Sequence, residues 1–111
     1  MTETLGNYEI SAEATPNVRI LYFGAIRAAA GTSGEEVKIV VNTALYQLLR
    51  ELAVIHGDSF FDEIFEEGGA SLREDLTVTV NDVVVNHASV AETGLAPGDK
   101  IALYPIFPGG G

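Results

Sequence analysis

Cysteine is absent from the 111 residues, which rules out disulfides, a thiolate nucleophile and any cysteine-ligated metal site within the chain. Basic residues are scarce: six Lys and Arg face sixteen Asp and Glu, a formal net charge of −10, and only Lys38 and Lys100 are lysines. That balance repels nucleic-acid phosphate and anionic membrane and suits a basic protein partner, although solubility or a salty cytosol explains it equally well. Long apolar runs are missing too, and none approaches the roughly 20 residues that cross a bilayer. Residues 1–17 hold Glu3, Glu9 and Glu13 and no basic residue, unlike a secretory signal, so the expected compartment is the cytoplasm.

Catalytic signatures are also lacking. No serine sits in a nucleophile elbow, no glycine-rich loop has phosphate-binding spacing, and there is no HExxH or calcium-loop pattern. His56 ends a helical stretch and His87 follows a strand; lone histidines in such places are more often capping or surface residues than ligands. Glu66-Glu67 and Glu74-Asp75 read as solvated acidic pairs with no basic or metal-ligand pattern beside them. The folded body is expected to hold no catalytic site, metal or cofactor of its own.

What is present is a core. Hydrophobic residues make up 47% of the chain against 20% charged, enough for one packed domain of this length. Residues 1–17 show no periodicity and close on Thr15-Pro16-Asn17, so they read as an extension outside the core. The domain is expected over residues 18–104, with 105–111 as a tail.

Val18 to Phe23 reads as a strand with Val18, Ile20 and Tyr22 on one face and Arg19, Leu21 and Phe23 on the other. Residues 24–34 read as a connection with room for a helical turn. Glu35 to Val41 alternates again, with Val37, Ile39 and Val41 inward, and predicts an antiparallel partner strand. Asn42 or Thr43 is placed to cap a helix whose apolar stripe is Leu45, Leu48, Leu49, Leu52 and Ile55, with Gly57 as a left-handed stop. A shorter helix follows, with Ser59 as its cap and Phe61, Ile64 and Phe65 on one face. Leu76, Val78 and Val80 form a third strand, Asn81-Asp82 a tight turn into Val83-Val84-Val85, and Pro97-Gly98 the centre of another turn. Lys100 to Tyr104 is the final strand, ended by Pro105.

Two strands, a main helix and further strands describe an α+β fold, a sheet of about four to five strands with one helical layer on one face. The other face has nothing in the sequence to cover it, yet it is expected to display Leu21, Phe23 and Tyr104.

Beside that face the chain ends Pro105-Ile106-Phe107-Pro108-Gly109-Gly110-Gly111. The stretch is uncharged, and glycines without Cβ pass where other residues jam. At roughly 3.3 to 3.6 Å per residue it reaches about 25 Å, far enough to carry a terminal carboxylate into another protein. A free carboxylate is a poor electrophile and needs activation, for instance by adenylation.

Val18 to Arg27 with its Phe23-Gly24-Ala25-Ile26-Arg27, the leucine-striped helix, Gly94 to Asp99, and Ala102-Leu103-Tyr104-Pro105 before a terminal Gly-Gly resemble the small sulfur carriers of the MoaD/ThiS family. That resemblance covers residues 18–111 and implies a ubiquitin-like β-grasp fold. It further implies that a ubiquitin-activating-type enzyme adenylates the Gly111 carboxylate with ATP and that sulfur transfer makes a thiocarboxylate. In the molybdopterin synthase branch the large subunit receives the tail, and the sulfur goes into molybdenum cofactor. Leu21, Phe23 and Tyr104 then fall at the partner interface, and Phe107, Pro108, Gly109 and Gly110 thread toward the large subunit's active site. The tail is one residue longer than the family's usual Phe-Pro-Pro-X-X-Gly-Gly ending, so the working end is either Gly111 or, after trimming, Gly110. The acidic composition, the tail and the stretch Phe61 to Leu76 before the third strand are similar to archaeal ubiquitin-like small modifiers, which implies a second function, conjugation through the terminal glycine to lysines of target proteins. A non-catalytic interaction domain with an incidental tail is the third.

Overall fold

The computed structural model describes residues 17–105. Strand β1, Asn17–Tyr22, turns Val18, Ile20 and Tyr22 into the core, each at most 1% exposed, as the alternation predicts. A helix α1, Gly24–Ala30, follows at once and buries Ile26. Where the sequence suggested a connection with one turn, four alanines among seven residues supply a full short helix. Strand β2, Gly34–Lys38, runs antiparallel to β1. It is shorter than expected: Ile39 is buried, but Val41 points outward, 56% exposed. The ladder stops because the chain turns there, with Asn42 at φ +70 and the Thr43 amide donating to the Val40 carbonyl.

Helix α2, Leu45–His56, buries Leu45, Leu48, Leu49, Leu52 and Ala53. Ile55 does not join the stripe and is 62% exposed. At 3.6 residues per turn it falls roughly a quarter-turn from the centre of the stripe, and Ala53 on the opposite flank takes the buried place. Neither Asn42 nor Thr43 caps the helix. Its N-cap is Ala44, without a side-chain bond, and the first-turn amides of Leu45 and Tyr46 donate instead to the carbonyls of Thr93 and Val90, 2.8 and 3.0 Å away. A neighbouring loop thus satisfies donors that a capping side chain would otherwise take.

Gly57, at φ 97 and ψ −171, ends α2 outside the left-handed helical region expected for it and is also the N-cap of α3, Asp58–Ile64. Ser59 lies inside that helix and caps nothing. The buried pair on α3 is Phe60 and Ile64, followed by Phe65, while Phe61 is only partly buried and stacks on Phe65 at 4.9 Å. Strands β3, Leu76–Val80, and β4, Val83–Val84, form the expected hairpin, with Asn81 and Asp82 both at positive φ as a type I′ turn demands. A 3-10 turn, His87–Ser89, precedes the Ala96-Pro97-Gly98-Asp99 turn, closed by the Asp99 amide on the Ala96 carbonyl. Strand β5, Lys100–Pro105, extends one residue past the expected end.

The five strands lie in the order β2-β1-β5-β3-β4. Only β1 and β5, side by side at the centre, run parallel. Parallel neighbours cannot be joined by a tight turn, so the chain between them has to cross over the sheet, and α1, α2 and α3 all contribute to the core on one face. The result is a mixed sheet with one helical layer, the architecture the sequence led to. No helix among the described residues is long and apolar enough to cross a membrane.

Candidate functional site: the uncovered sheet face

The register of the ladders fixes what the other face carries. Paired residues share a face, so three rows run across the sheet. Glu36, Arg19 and Lys100 form the first row. Gly34, Leu21, Ala102, Thr79 and Val84 form the second. Tyr104 and Thr77 lie in the third, where Phe23 continues the line of Arg19 and Leu21 just past the end of β1.

Sequence reasoning placed Leu21, Phe23 and Tyr104 here, and the structure brings them onto one surface. Phe23 and Tyr104 stack nearly parallel, 11° apart with centroids separated by 4.5 Å. Phe23 stays 39% exposed, and its amide donates to the Leu103 carbonyl at 3.2 Å. Leu21 is half-buried beside Ala102. Val84, 68% exposed at the far edge of the middle row, was not foreseen as part of this face, because a two-residue strand shows too little alternation to assign a side.

Gly24 is the other residue that sequence reasoning passed over. It sits at φ +58, and a Cβ there would lie 2.6 Å from Pro105 Cγ. Only glycine lets the start of α1 pack directly against the end of β5, the point from which the tail departs. Phe107, Pro108, Gly109, Gly110 and Gly111 lie outside the described residues.

Two polar clusters lie away from this face. The Tyr22 hydroxyl and His56 Nε2 both bond Glu35 Oε2, each at 2.5 Å. An ionised carboxylate only accepts, so both neighbours donate. Burial alone would raise the Glu35 pKa, but the hydrogen bonds from Tyr22 and His56 outweigh it and hold the carboxyl below its ordinary value. Burial first, then the hydrogen bond to Glu35 and its charge, push the Tyr22 phenol well above its usual range. His56 is thus a tie between α2 and β2. His87 bonds the Leu76 carbonyl at 2.7 Å. Contrary to expectation, the Glu74-Asp75 pair has a basic partner: Arg73 grips Asp75 through two bonds of 2.9 Å. A carboxylate two residues ahead is within reach of an arginine fork whenever the backbone turns, which the residue types alone do not reveal. No group of acidic or histidine side chains with metal-holding geometry occurs among the described residues.

A model of the ThiS family matches residues 20–110, most of the chain. The chain belongs to the ThiS family. No curated protein matches the sequence, but solved structures of similar shape are numerous. SAMP1 from Haloferax volcanii superposes with a TM-score of 0.72 at 21% identity, covering 85% of this chain and 99% of that one. A putative molybdopterin converting factor, subunit 1, from Pyrococcus furiosus gives 0.65 at 26% identity, covering 82% and 98%. Urm1 from Trypanosoma brucei gives 0.70 at 20% identity, covering 91% and 100%. These neighbours are ubiquitin-like β-grasp proteins, and the fold of this chain is the β-grasp.

Proposed function

We propose that this chain is a sulfur carrier whose terminal glycine, Gly111, is converted to a thiocarboxylate, and that it serves as the small subunit of molybdopterin synthase in molybdenum cofactor biosynthesis. The observation that carries the reading is the sheet face of Leu21, Phe23 and Tyr104, which no helix among the described residues covers and which ends at Pro105, six residues before Gly111. A surface for a partner and an uncharged tail leaving its rim form one continuous device. Membership of the ThiS family supports it, as does the likeness to the molybdopterin converting factor subunit of P. furiosus.

The chemistry is brief. The Gly111 carboxylate attacks the α-phosphorus of ATP on an adenylating enzyme, and pyrophosphate leaves. A sulfide nucleophile then attacks the acyl carbon, AMP departs with the former carboxylate oxygen, and a thiocarboxylate remains. Phe107, Pro108, Gly109 and Gly110 lead that end into the large subunit, while Leu21, Phe23 and Tyr104 hold the body against its partners. ATP is a substrate of the adenylating enzyme, and the carrier contributes the acyl end.

The second reading, a modifier joined through Gly111 to lysines of target proteins, shares the activation step and is favoured by the likeness to SAMP1 of H. volcanii. Glycine remnants on target lysines distinguish it. For both, the test is ATP–pyrophosphate exchange with the adenylating enzyme of the same organism. Deleting Gly110 and Gly111 is expected to abolish exchange and leave the melting temperature unchanged. Full exchange by the shortened chain contradicts both readings and leaves an interaction domain with an incidental tail.

A further inference from the structure

The six basic residues of this strongly acidic chain are not evenly spread. Arg50 is spent on the helical side, donating to the Gly69 carbonyl at 3.0 Å with its guanidinium 5.5 Å from the centre of the Phe65 ring. Arg73 clamps Asp75, and Arg27 is on α1. The remaining three stand together. Arg19 pairs with Lys100 across the parallel β1–β5 ladder, and Lys38 faces Asn17 one row beyond. All three therefore project from the uncovered face, at the end remote from Phe23 and Tyr104.

This placement carries a cost. Like charges directly opposite on adjacent strands destabilise a sheet, yet Arg19 and Lys100 are neighbours in a chain with sixteen acidic residues available to separate them. Lys100 is partly compensated by Asp82, 3.0 Å away. Arg19 is exposed, and Glu36 across the other ladder forms no ion pair with it among the described residues. Local inconsistencies of this kind are expected where a surface meets something else. Phe23 lies four residue steps beyond Arg19, about 13 Å at roughly 3.3 Å per residue. The face thus changes along β1: Arg19, Lys38 and Lys100 with Glu36 and Asp82 among them at one end, half-buried Leu21 beside buried Ala102 in the middle, and the aromatic pair at the other end.

We infer that Arg19 sets the orientation of docking on the adenylating enzyme, by meeting a carboxylate at the edge of an apolar patch on that enzyme. The inference deepens the sulfur-carrier reading and rests on it. An apolar face alone can be approached in either sense along the strands. A basic end permits one sense, because only then do Phe23, Tyr104 and the tail point into the active site while Arg19 finds its carboxylate. The whole-molecule charge of −10 makes this local exception necessary: without it, a partner carboxylate would meet net repulsion wherever it approached.

The experiment compares wild type, Arg19→Gln and Arg19→Glu in ATP–pyrophosphate exchange with the same organism's adenylating enzyme, alongside thermal melts. The KM for the carrier is expected to rise several-fold for Gln and about tenfold or more for Glu. The rate at saturating carrier should stay within about twofold of wild type, the melting temperature should be unchanged, and the gap between wild type and Arg19→Glu should narrow as salt is added. A KM for Arg19→Glu equal to that of wild type overturns the inference, as does a loss that tracks a lowered melting temperature. If the wild-type chain supports no exchange, the sulfur-carrier reading itself fails and takes this inference with it.

Discussion

Gly24 shows how one residue without a side chain can determine where a tail begins. Its φ of +58 is a conformation that other residues adopt at a cost, and the absent Cβ leaves room for the Pro105 ring, whose Cγ would otherwise be 2.6 Å away. Both penalties act together in Gly24→Ala. The substitution is expected to destabilise the domain by roughly 1–3 kcal/mol through backbone strain and a clash that moves Pro105. Thermal denaturation with backbone chemical shifts at residues 103–105 checks it, and a variant as stable as wild type with unmoved shifts would show that neither the strain at Gly24 nor the contact with Pro105 constrains this corner. The sequence showed a glycine after an aromatic strand and nothing of this contact, because Gly24 and Pro105 are far apart in the chain and meet only through the parallel β1–β5 pairing.

At the scale of elements, the strands and their inward residues were legible because a period of two is a strong signal when Val18, Ile20 and Tyr22 or Leu76 and Val78 carry it. The four leucines of α2 were legible for the same reason at a period of 3.6. Less could be read at the ends. Ala44 needs no capping side chain because the Val90 and Thr93 carbonyls take the helix amides, and that help comes from a loop more than forty residues away.

The tie between α2 and the sheet was hidden too. Tyr22, Glu35 and His56 come from β1, β2 and the end of α2, and no spacing rule connects them. Its pH signature follows from the directions of the two shifts. The folded-state pKa of Glu35 is lowered, so its contribution to stability is present above the unfolded value, near 4.3, and is lost as pH falls through the folded value. The folded-state pKa of Tyr22 is raised, so its contribution is present below the unfolded value, near 10, and is lost only as pH rises through the folded one. Glu35→Gln is expected to lower stability at neutral pH by roughly 1–3 kcal/mol, the usual loss for hydrogen bonds to a charged group. It should also shrink the difference between stability at neutral pH and at about pH 3. Melts across that range measure both, and an acid limb as steep as that of wild type would mean that Glu35 is not the group that titrates.

As a whole molecule, the chain divides its labour between two sides of one sheet. One side buries Ile20, Leu48, Leu49, Phe60, Ile101 and their neighbours in a single core. The other side keeps Phe23, Val84 and half of the basic side chains at the surface, with Leu21 half-buried and Ala102 and Thr79 buried between them. The division was visible in the sequence as a strand apolar on both faces and a fold with helices enough for only one. What could not be read there was the gradient along the face, since it arises from which strand lies beside which: Arg19 meets Lys100 because β5 returns to the centre of the sheet. The net charge of −10 gave the general sign of the surface but not its exception.

The central claim is that Gly111 carries sulfur. The most direct measurement is the intact mass of the chain purified from its own host, with its adenylating enzyme present. A fraction heavier by the difference between a sulfur and an oxygen atom is expected, localised by fragmentation to Gly111, or to Gly110 if the last residue has been trimmed. A chain that keeps an ordinary carboxylate in every fraction, while its adenylating enzyme is active and sulfur is supplied, would contradict it.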